Sequence, residues 1–220
     1  EPGAARSALQ NGVNGMMWSI QSLVGRPLRA TDGRIGRVLD FYFDDREGNV
    51  RYLVADTGRF VPDRLVLLPV SVVAGMPRGR GRALAVSLTR AALRASRSAG
   101  SKPPVSRRRA AEKFVAGTKA MYWRAYPVSG VAATAPVVLP AGPETPPVHG
   151  RDEHLRSARE VATYRVRCLD GPAGRVRDFL LDDERWHLRY LAASPAPRAR
   201  RSVLLPYAGV RRISWEDQEV

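Results

Sequence analysis

The chain has 220 residues, 44% of them hydrophobic, and a formal net charge of +15 at pH 7. Three of its 36 basic residues are lysine and 33 are arginine, a bias that G+C-rich coding also produces, so the charge alone does not establish nucleic-acid binding. The single cysteine, Cys168, excludes an internal disulfide and a multi-cysteine metal site. The sequence has no run of 18 apolar residues, so it predicts no transmembrane helix. We also expect no secretory signal.

An internal repeat dominates the sequence. Residues 32–55 (DGRIGRVLDFYFDDREGNVRYLVA) align without a gap with residues 170–193 (DGPAGRVRDFLLDDERWHLRYLAA), and 13 of the 24 positions are identical. The motif VLLP at 66–69 returns at 203–206. Two modules of this size fit the length of the chain. The predicted organisation is an N-terminal extension (1–16), a first module (17–88), a connector (89–152) and a second module (153–220).

Short strands with turn signals between them are predicted in the first module. Residues 1–15 have no apolar period and are expected to be loosely ordered. Alternation places Leu39 with Phe41 and Phe43 on one face of the second strand, and Val50 with Tyr52 and Val54 on one side of the third. The continuous apolar run in 64–70 predicts burial on both faces, with Pro69 ending the strand. The expected segments are 26–31, 35–44, the hairpin loop 44–49, 50–57, 64–70 and 83–88.

The connector differs in kind from the modules. Thr89 is expected to cap a short helix, residues 107–119 have helical composition, and 126–150 carry six prolines typical of an extended linker. Residues 74–114 hold 11 basic side chains against the single acid Glu112. In the second module, where Pro206 is the counterpart of Pro69, we expect strands at 164–169, 174–182, 187–193, 201–206 and 211–215.

Most residues shared by the two copies are of the kind that build strands and turns. The Asp44–Asp45 and Asp182–Asp183 pairs are predicted to cap hairpins rather than to do acid/base work. Asp40 and its counterpart Asp178 are predicted to pair with an arginine, such as Arg37 or Arg51 in the first copy and Arg175 or Arg189 in the second. The structural repeat comprises Asp32, Gly33, Gly36, Asp40 and Tyr52, with Asp170, Gly171, Gly174, Asp178 and Tyr190.

Catalytic and metal chemistry find little support in the sequence. The three histidines, His149, His154 and His187, have no metal-ligand spacing, and no nucleophile, base and orienting group occur together. Cys168 is expected to be a small packed residue. We therefore predict no catalytic residues, no metal, no cofactor and no enzymatic activity.

The turn DGxxGRVxDF, the acidic pair, the RYL of the third strand and the VLLP of the fourth together resemble the PRC-barrel family, in particular bacterial proteins with two such barrels. The matching order of motifs covers about residues 17–125 and 153–217. The resemblance implies a mainly β fold of two small PRC-type β-barrels in tandem, joined by a short helical and Pro-rich insert. The family is known from the cytoplasmic domain of the photosynthetic reaction-centre H subunit and from the C-terminal domain of a ribosome maturation factor, and its barrels dock onto protein partners.

Two functions follow as hypotheses. The first is a non-enzymatic, cytoplasmic adaptor that binds a protein partner. The partner belongs either to a reaction-centre setting, peripheral to the inner membrane, or to a ribosomal or RNA-processing assembly. The sequence leaves open whether the protein forms a homodimer. The alternative is binding of RNA or an anionic membrane surface through the Arg-rich connector. For the aromatic residues two alternatives remain: they pack between the modules, or they are exposed as anchors for a partner. The candidate partner-binding residues are Trp123, Trp186, His187, Arg78, Arg80, Arg107, Arg108 and Arg109.

Overall fold

The computed structural model describes residues 16–58, 65–77, 83–94, 104, 106, 154–195, 199 and 201–220. The described part is mainly β and forms two sheets. In the N-terminal half the strands and helices are β1 (Met17–Ser19), α1 (Ile20–Leu23), β2 (Pro27–Ala30), β3 (Gly33–Asp44), β4 (Val50–Asp56), β5 (Leu65–Pro69), β6 (Val73–Gly75), β7 (Leu84–Val86) and α2 (Arg90–Arg94). In the C-terminal half they are β8 (Leu155–Ser157), α3 (Ala158–Val161), β9 (Arg165–Cys168), β10 (Gly171–Asp182), β11 (His187–Ser194) and β12 (Val203–Pro206).

Each sheet is built around one long β-hairpin. The first sheet has the order β5-β4-β3-β2-β7-β6, and the second has the order β1-β10-β11-β12, with β9 also paired to β10. The hairpins β3–β4 and β10–β11 are antiparallel, whereas β7 lies parallel to β2. The two halves of the repeat therefore form the same hairpin-centred sheet twice.

The two halves exchange their first strands, which the sequence did not suggest. β1 of the N-terminal half pairs with the end of β10, with Trp18 opposite Leu181. β8 of the C-terminal half pairs in the same way with the end of β3, with Arg156 opposite Phe43. Each sheet thus contains one strand that belongs, by sequence, to the other module.

The exchange is fixed by the repeated aspartates in mid-strand. The Ser157 hydroxyl donates to Asp40 Oδ2 at 2.5 Å, and the Arg159 amide at the start of α3 donates to Asp40 Oδ1 at 3.0 Å. Ser157 in turn accepts a hydrogen bond from Glu160 N as the N-cap of α3. Asp40 is 4% exposed, so these bonds satisfy a buried carboxylate.

The reciprocal contact is present on the other side. Ser19 caps α1 and donates through its hydroxyl to Asp178 Oδ2, and the Gln21 amide donates to Asp178 Oδ1 at 3.0 Å. Of the arginines named as candidate partners of Asp40, Arg37 pairs with Asp56 and Arg51 with Asp44. In the second copy Arg189 likewise pairs with Asp182, and Arg175 donates to the carbonyl of Thr163.

One hydrophobic core joins the halves. The rings of Phe43 and Phe179 lie 5.4 Å apart between centroids, and Tyr207 stands edge-on to Phe43 at 6.3 Å. Fully buried residues from both modules, Leu53 and Leu188 among them, belong to the same cluster. The modules therefore bury apolar surface against each other, as small modules must in order to gain enough burial.

Because of β-bulges, several residues lie on a different face of the sheet from the one predicted. Register shifts between Val38 and Asp40, and again between Tyr42 and Phe43, insert extra residues into the β3–β4 pair. Val38 therefore joins Phe41 and Phe43 in the main core, while Leu39 packs against a second buried cluster on the opposite face of the sheet. Across the second bulge, which lies in β4, Val50 faces the main core and Tyr52 with Val54 belongs to the second cluster, contrary to the alternation.

Other local predictions have mixed outcomes. Burial of 66–68, strand ends at Pro69 and Pro206, and the Thr89 cap of α2, whose hydroxyl accepts from Ala92 N at 3.1 Å, are confirmed. The strand at 211–215 was wrong, because Ser214 Oγ binds Asp217 and closes a turn. The predictions for 1–15, 107–119 and 126–150 lie outside the described residues.

Glycine is required for steric reasons at the repeated positions Gly36 and Gly174. A Cβ at Gly36 would lie 2.1 Å from the carbonyl oxygen of Asp56, and one at Gly174 would lie 2.0 Å from that of Ser194. Both have positive φ, 137° and 102°. Each long strand crosses the backbone of its neighbour at a point where only glycine fits.

A double-mutant cycle on Asp40 and Ser157 measures how strongly the exchange couples the modules. We expect Asp40→Ala and Ser157→Ala to show a coupling of about 1–3 kcal/mol in the free energy of unfolding, because the bond joins a buried charge to a cap. The measurement is urea unfolding of the four proteins. The matched cycle of Asp40→Ala with the exposed Ser202→Ala should give no coupling, and additivity in the Asp40–Ser157 cycle would contradict the coupling role.

Alkaline unfolding should depend on Tyr207. Burial, assisted by the negative charges of Asp45 and Asp44, raises the pKa of its phenol, while Arg156 opposes the shift. Because an unfolded tyrosine ionises near pH 10, stability from the neutral buried phenol is complete below that pH and is lost as pH rises towards the raised pKa. In urea unfolding between pH 8 and 11, Tyr207→Phe should reduce the alkaline loss by up to about 1.4 kcal/mol per pH unit. Tyr190→Phe is the control, and an unchanged slope in Tyr207→Phe would contradict the assignment.

Candidate functional site: two clefts at the strand exchange

The first aspartate of each acidic pair caps its own hairpin, as predicted. Asp44 Oδ1 accepts from the Arg46 amide at 2.9 Å, and Asp44 Oδ2 binds Arg51 at 2.6 Å. Asp182 repeats both contacts with Glu184 N at 3.0 Å and Arg189 at 3.1 Å. Burial alone would raise the pKa of Asp182, but the hydrogen bonds from Glu184, Arg189 and Arg185 together lower it below its usual value.

The second aspartate of each pair holds the exchanged strand. Asp45 binds His154 Nδ1 through Oδ1 at 2.9 Å and accepts from Arg156 Nε through Oδ2 at 2.6 Å. Asp183 instead accepts from the Met16 amide at 2.8 Å and from Trp18 Nε1 at 3.0 Å. The two aspartates have the same structural role but bind different side chains.

The hairpin tips meet between these two contacts. The Leu188 amide donates to the carbonyl of Gly48 at 2.8 Å, and the Val50 amide donates to that of Trp186 at 2.7 Å. Gly48 has φ +74°, and a Cβ there would lie 2.6 Å from Cε1 of Tyr207. Trp186, its counterpart, has φ 53° and packs on Phe41 with the rings 6.2 Å apart.

Each exchanged strand lines a cleft beside its hairpin. The basic cleft, of about 450 Å³, lies between Asp45–Arg46, His154 with Arg156, and the segment Val210–Glu216. The aromatic cleft, of similar volume, lies between Met16 with Trp18, Val73–Met76, Asp183–Glu184 and Trp186. Because β1 and β8 are counterparts, the two clefts are equivalent positions of the repeat.

The clefts differ in charge. Four arginines, Arg46, Arg156, Arg211 and Arg212, line the basic cleft against the two acids Asp45 and Glu216. Arg212 also lies 4.0 Å from Asp217, which is outside the lining. The described lining of the aromatic cleft has the two acids Asp183 and Glu184 and no basic residue. Divergence of the repeat has therefore produced one cationic and one acidic, aromatic depression on a common frame.

A third feature is the apolar surface around β12, which we call the β12 face and define as Leu169, Val203, Leu204 and the neighbouring groove. Val203 and Leu204 are 56% and 51% exposed, whereas their counterparts Val66 and Leu67 are 0% and 5% exposed. Leu169, in the β9–β10 turn, is 90% exposed. The groove has a volume of about 900 Å³ and is lined by residues that include Val166, Cys168, Leu191, Leu205 and Val210.

The predicted site residues divide between the module junction and the part that is not described. Trp186 and His187 are both partly buried at the junction, where His187 faces Asn49 in a β-bridge. Cys168 is partly buried and packs against the core, as expected. The candidates that lie outside the described residues are Trp123, Arg78, Arg80, Arg107, Arg108 and Arg109.

Sequence reasoning missed Asp45, His154 and Arg156 as one cluster. A usable signal was present, because the offset of 138 extends upstream of the recognised repeat and aligns MWSIQSL (17–23) with LRSAREV (155–161). That alignment pairs Ser19 with Ser157, the two residues that cap α1 and α3. The extension would have identified 17–23 and 155–161 as equivalent segments of the two modules, although not their exchange.

Metal-ligand clusters and membrane-spanning helices are not found in the described ranges. These ranges contain no group of three His, Cys, Asp or Glu side chains arranged to hold a metal ion. None of their helices combines the length and the apolar character that a bilayer crossing requires.

Comparison with known proteins finds a similarity for the first module. No curated protein matches the chain. The family model described as PRC-barrel domain matches residues 17–87, the segment that contributes β1 to β7. The first of the two repeated modules is therefore similar to PRC-barrel domains.

Proposed function

We propose that the chain is a non-catalytic adaptor of two PRC barrels that binds a protein partner through the β12 face of its second module. The second module is assigned to the same family because of the internal repeat and the reciprocal exchange of β1 and β8. Non-catalytic binding is preferred because the aspartate pairs, the strongest acid/base candidates, are engaged in hairpin and strand contacts.

The observation that carries the proposal is the unequal burial of equivalent strands. β5 is covered on both sides, whereas Val203 and Leu204 of β12 are about half exposed. β12 is also an edge of its sheet, paired only to β11 among the described strands. An apolar edge strand is costly to leave in water and offers main-chain groups for pairing, so it favours a protein surface as its cover.

The first module shows what kind of segment fits there. Its β2–β3 turn is covered by α2, where the Arg90 amide donates to Asp32 Oδ1 at 2.8 Å and Leu93 is fully buried. The matching turn of the second module has Asp170, whose carboxylate binds nothing in the described ranges, at the rim of the groove. The partner is therefore expected to offer an apolar side chain for the groove and a backbone N–H for Asp170.

The setting follows from the family resemblance. A reaction-centre or electron-transport complex and a ribosomal or RNA-processing assembly are the two contexts in which such barrels dock onto protein. Binding of RNA or an anionic membrane by the connector is the second candidate, supported by the excess of 11 basic residues over one acid in 74–114. Resistance of a captured complex to nuclease and to added salt distinguishes the adaptor from this alternative.

The test is capture of partners from the source cells with the tagged full chain, followed by quantitative mass spectrometry. Val203→Asp with Leu204→Asp should reduce recovery of the specific partner at least about 10-fold, because a buried charge opposes docking. The matched control, Ala85→Asp with Ala91→Asp, adds the same charge at exposed sites of the first module. Equal recovery by both double variants, at equal thermal stability, would reject the β12 face, and recovery that disappears with nuclease would favour RNA.

A further inference from the structure

We propose that the basic cleft is a binding site for a phosphate group, either free phosphate or the phosphate of a small phosphorylated molecule. The site is distinct from the exposed strand β12, which does not line it, although the segment before Trp215 shares Val210, Arg211, Arg212 and Ser214 with the groove beside β12. The inference rests on three observations: the excess of arginine in the cleft, the buried Arg156 donor that has no acceptor, and the contrast with the equivalent aromatic cleft.

The charge of the cleft is not neutralised internally. The Asp45 side chain, which is 8% exposed, forms an ion pair with Arg156 and a hydrogen bond with His154. The side chains of Arg46 and Arg211 are exposed at the rim and make no ion pair or hydrogen bond within the described ranges. Two guanidinium groups are thus left to receive an anion at one opening.

Arg156 supplies the buried element of the site. It is 9% exposed, its Nε is held by Asp45 at 2.6 Å, and its Nη1 is buried with no hydrogen-bond partner in the described structure. A buried guanidinium donor without an acceptor is costly. An oxyanion bound at the floor of the cleft would offset that cost by its electrostatic attraction to the guanidinium group. After a small adjustment of the Arg156 side chain, the anion would also accept a hydrogen bond from Nη1.

Phosphate fits better than a carboxylate or a polymer. Its two charges and several acceptor oxygens match an opening flanked by arginines, whose planar donors suit phosphate geometry. A volume of about 450 Å³ suits a small molecule. The aromatic cleft has similar size but Glu184 in place of Arg46 and Trp18 in place of Arg156, so the same frame provides an internal negative control.

The experiment is isothermal titration of the full chain with inorganic phosphate and, separately, with glycerol 3-phosphate, at constant ionic strength set with sodium chloride. We expect one saturable site per chain, and Arg46→Gln with Arg211→Gln should weaken it at least about 10-fold, as the loss of two charge-assisted contacts predicts. Tighter binding of glycerol 3-phosphate would assign the site to a phosphorylated molecule, and equal binding would assign it to phosphate alone.

The control variant, Arg34→Gln with Arg201→Gln, removes the same charge from exposed positions outside the cleft and should leave the affinity unchanged. The proposal is overturned if neither compound gives saturable heat, or if both double variants weaken binding equally, since the anion would then respond to net charge alone. Unaltered binding in Arg46→Gln with Arg211→Gln would also overturn it. Unfolding midpoints without ligand confirm that both variants are folded.

Discussion

The rest of the structure depends on the exchange of the first strand between the two modules. The exchange is held at two levels, by Asp40 and Asp178 capping the helices that follow the exchanged strands, and by Asp45 and Asp183 binding the strands themselves. Because the contacts are reciprocal, neither sheet is complete without a strand from the other half. The hairpin tips and the Phe43–Phe179 contact then close a single core.

This constraint explains which parts of the repeat stay alike and which diverge. Four of the identical residues, Asp40 with Asp178 and Asp45 with Asp183, hold the exchanged strands, so a change at any of them weakens contacts between the two modules. The exchanged strands contribute a backbone and a capping serine in both halves, whereas the other side chains in these strands and just before them differ. His154 and Arg156 in one and Met16 and Trp18 in the other therefore give two clefts of opposite character. Function is expected at such positions, which include the exposed β12.

Much of the fold could be predicted from sequence because it depends on local patterns. The hairpins, the proline strand ends and the Thr89 cap follow from turn chemistry and propensity alone. The strand faces could not, since one bulge at Leu39 reverses alternation without any change in composition. The partner of Asp40 could not either, because Ser157 lies 117 residues away and periodicity carries no information on which sheet a strand joins. The candidate clefts depend on that same long-range pairing, so they became visible only in three dimensions.

The central claim is that the exchange makes the two modules one cooperative unit. Differential scanning calorimetry of the full chain tests it most directly, because two-state unfolding requires the calorimetric enthalpy to equal the van 't Hoff enthalpy. The account predicts a single transition with a ratio near one for the whole chain, and a single shifted transition when either Asp40 or Asp178 is replaced by alanine. Two separable transitions, with only one of them moved by Asp40→Ala, would contradict it.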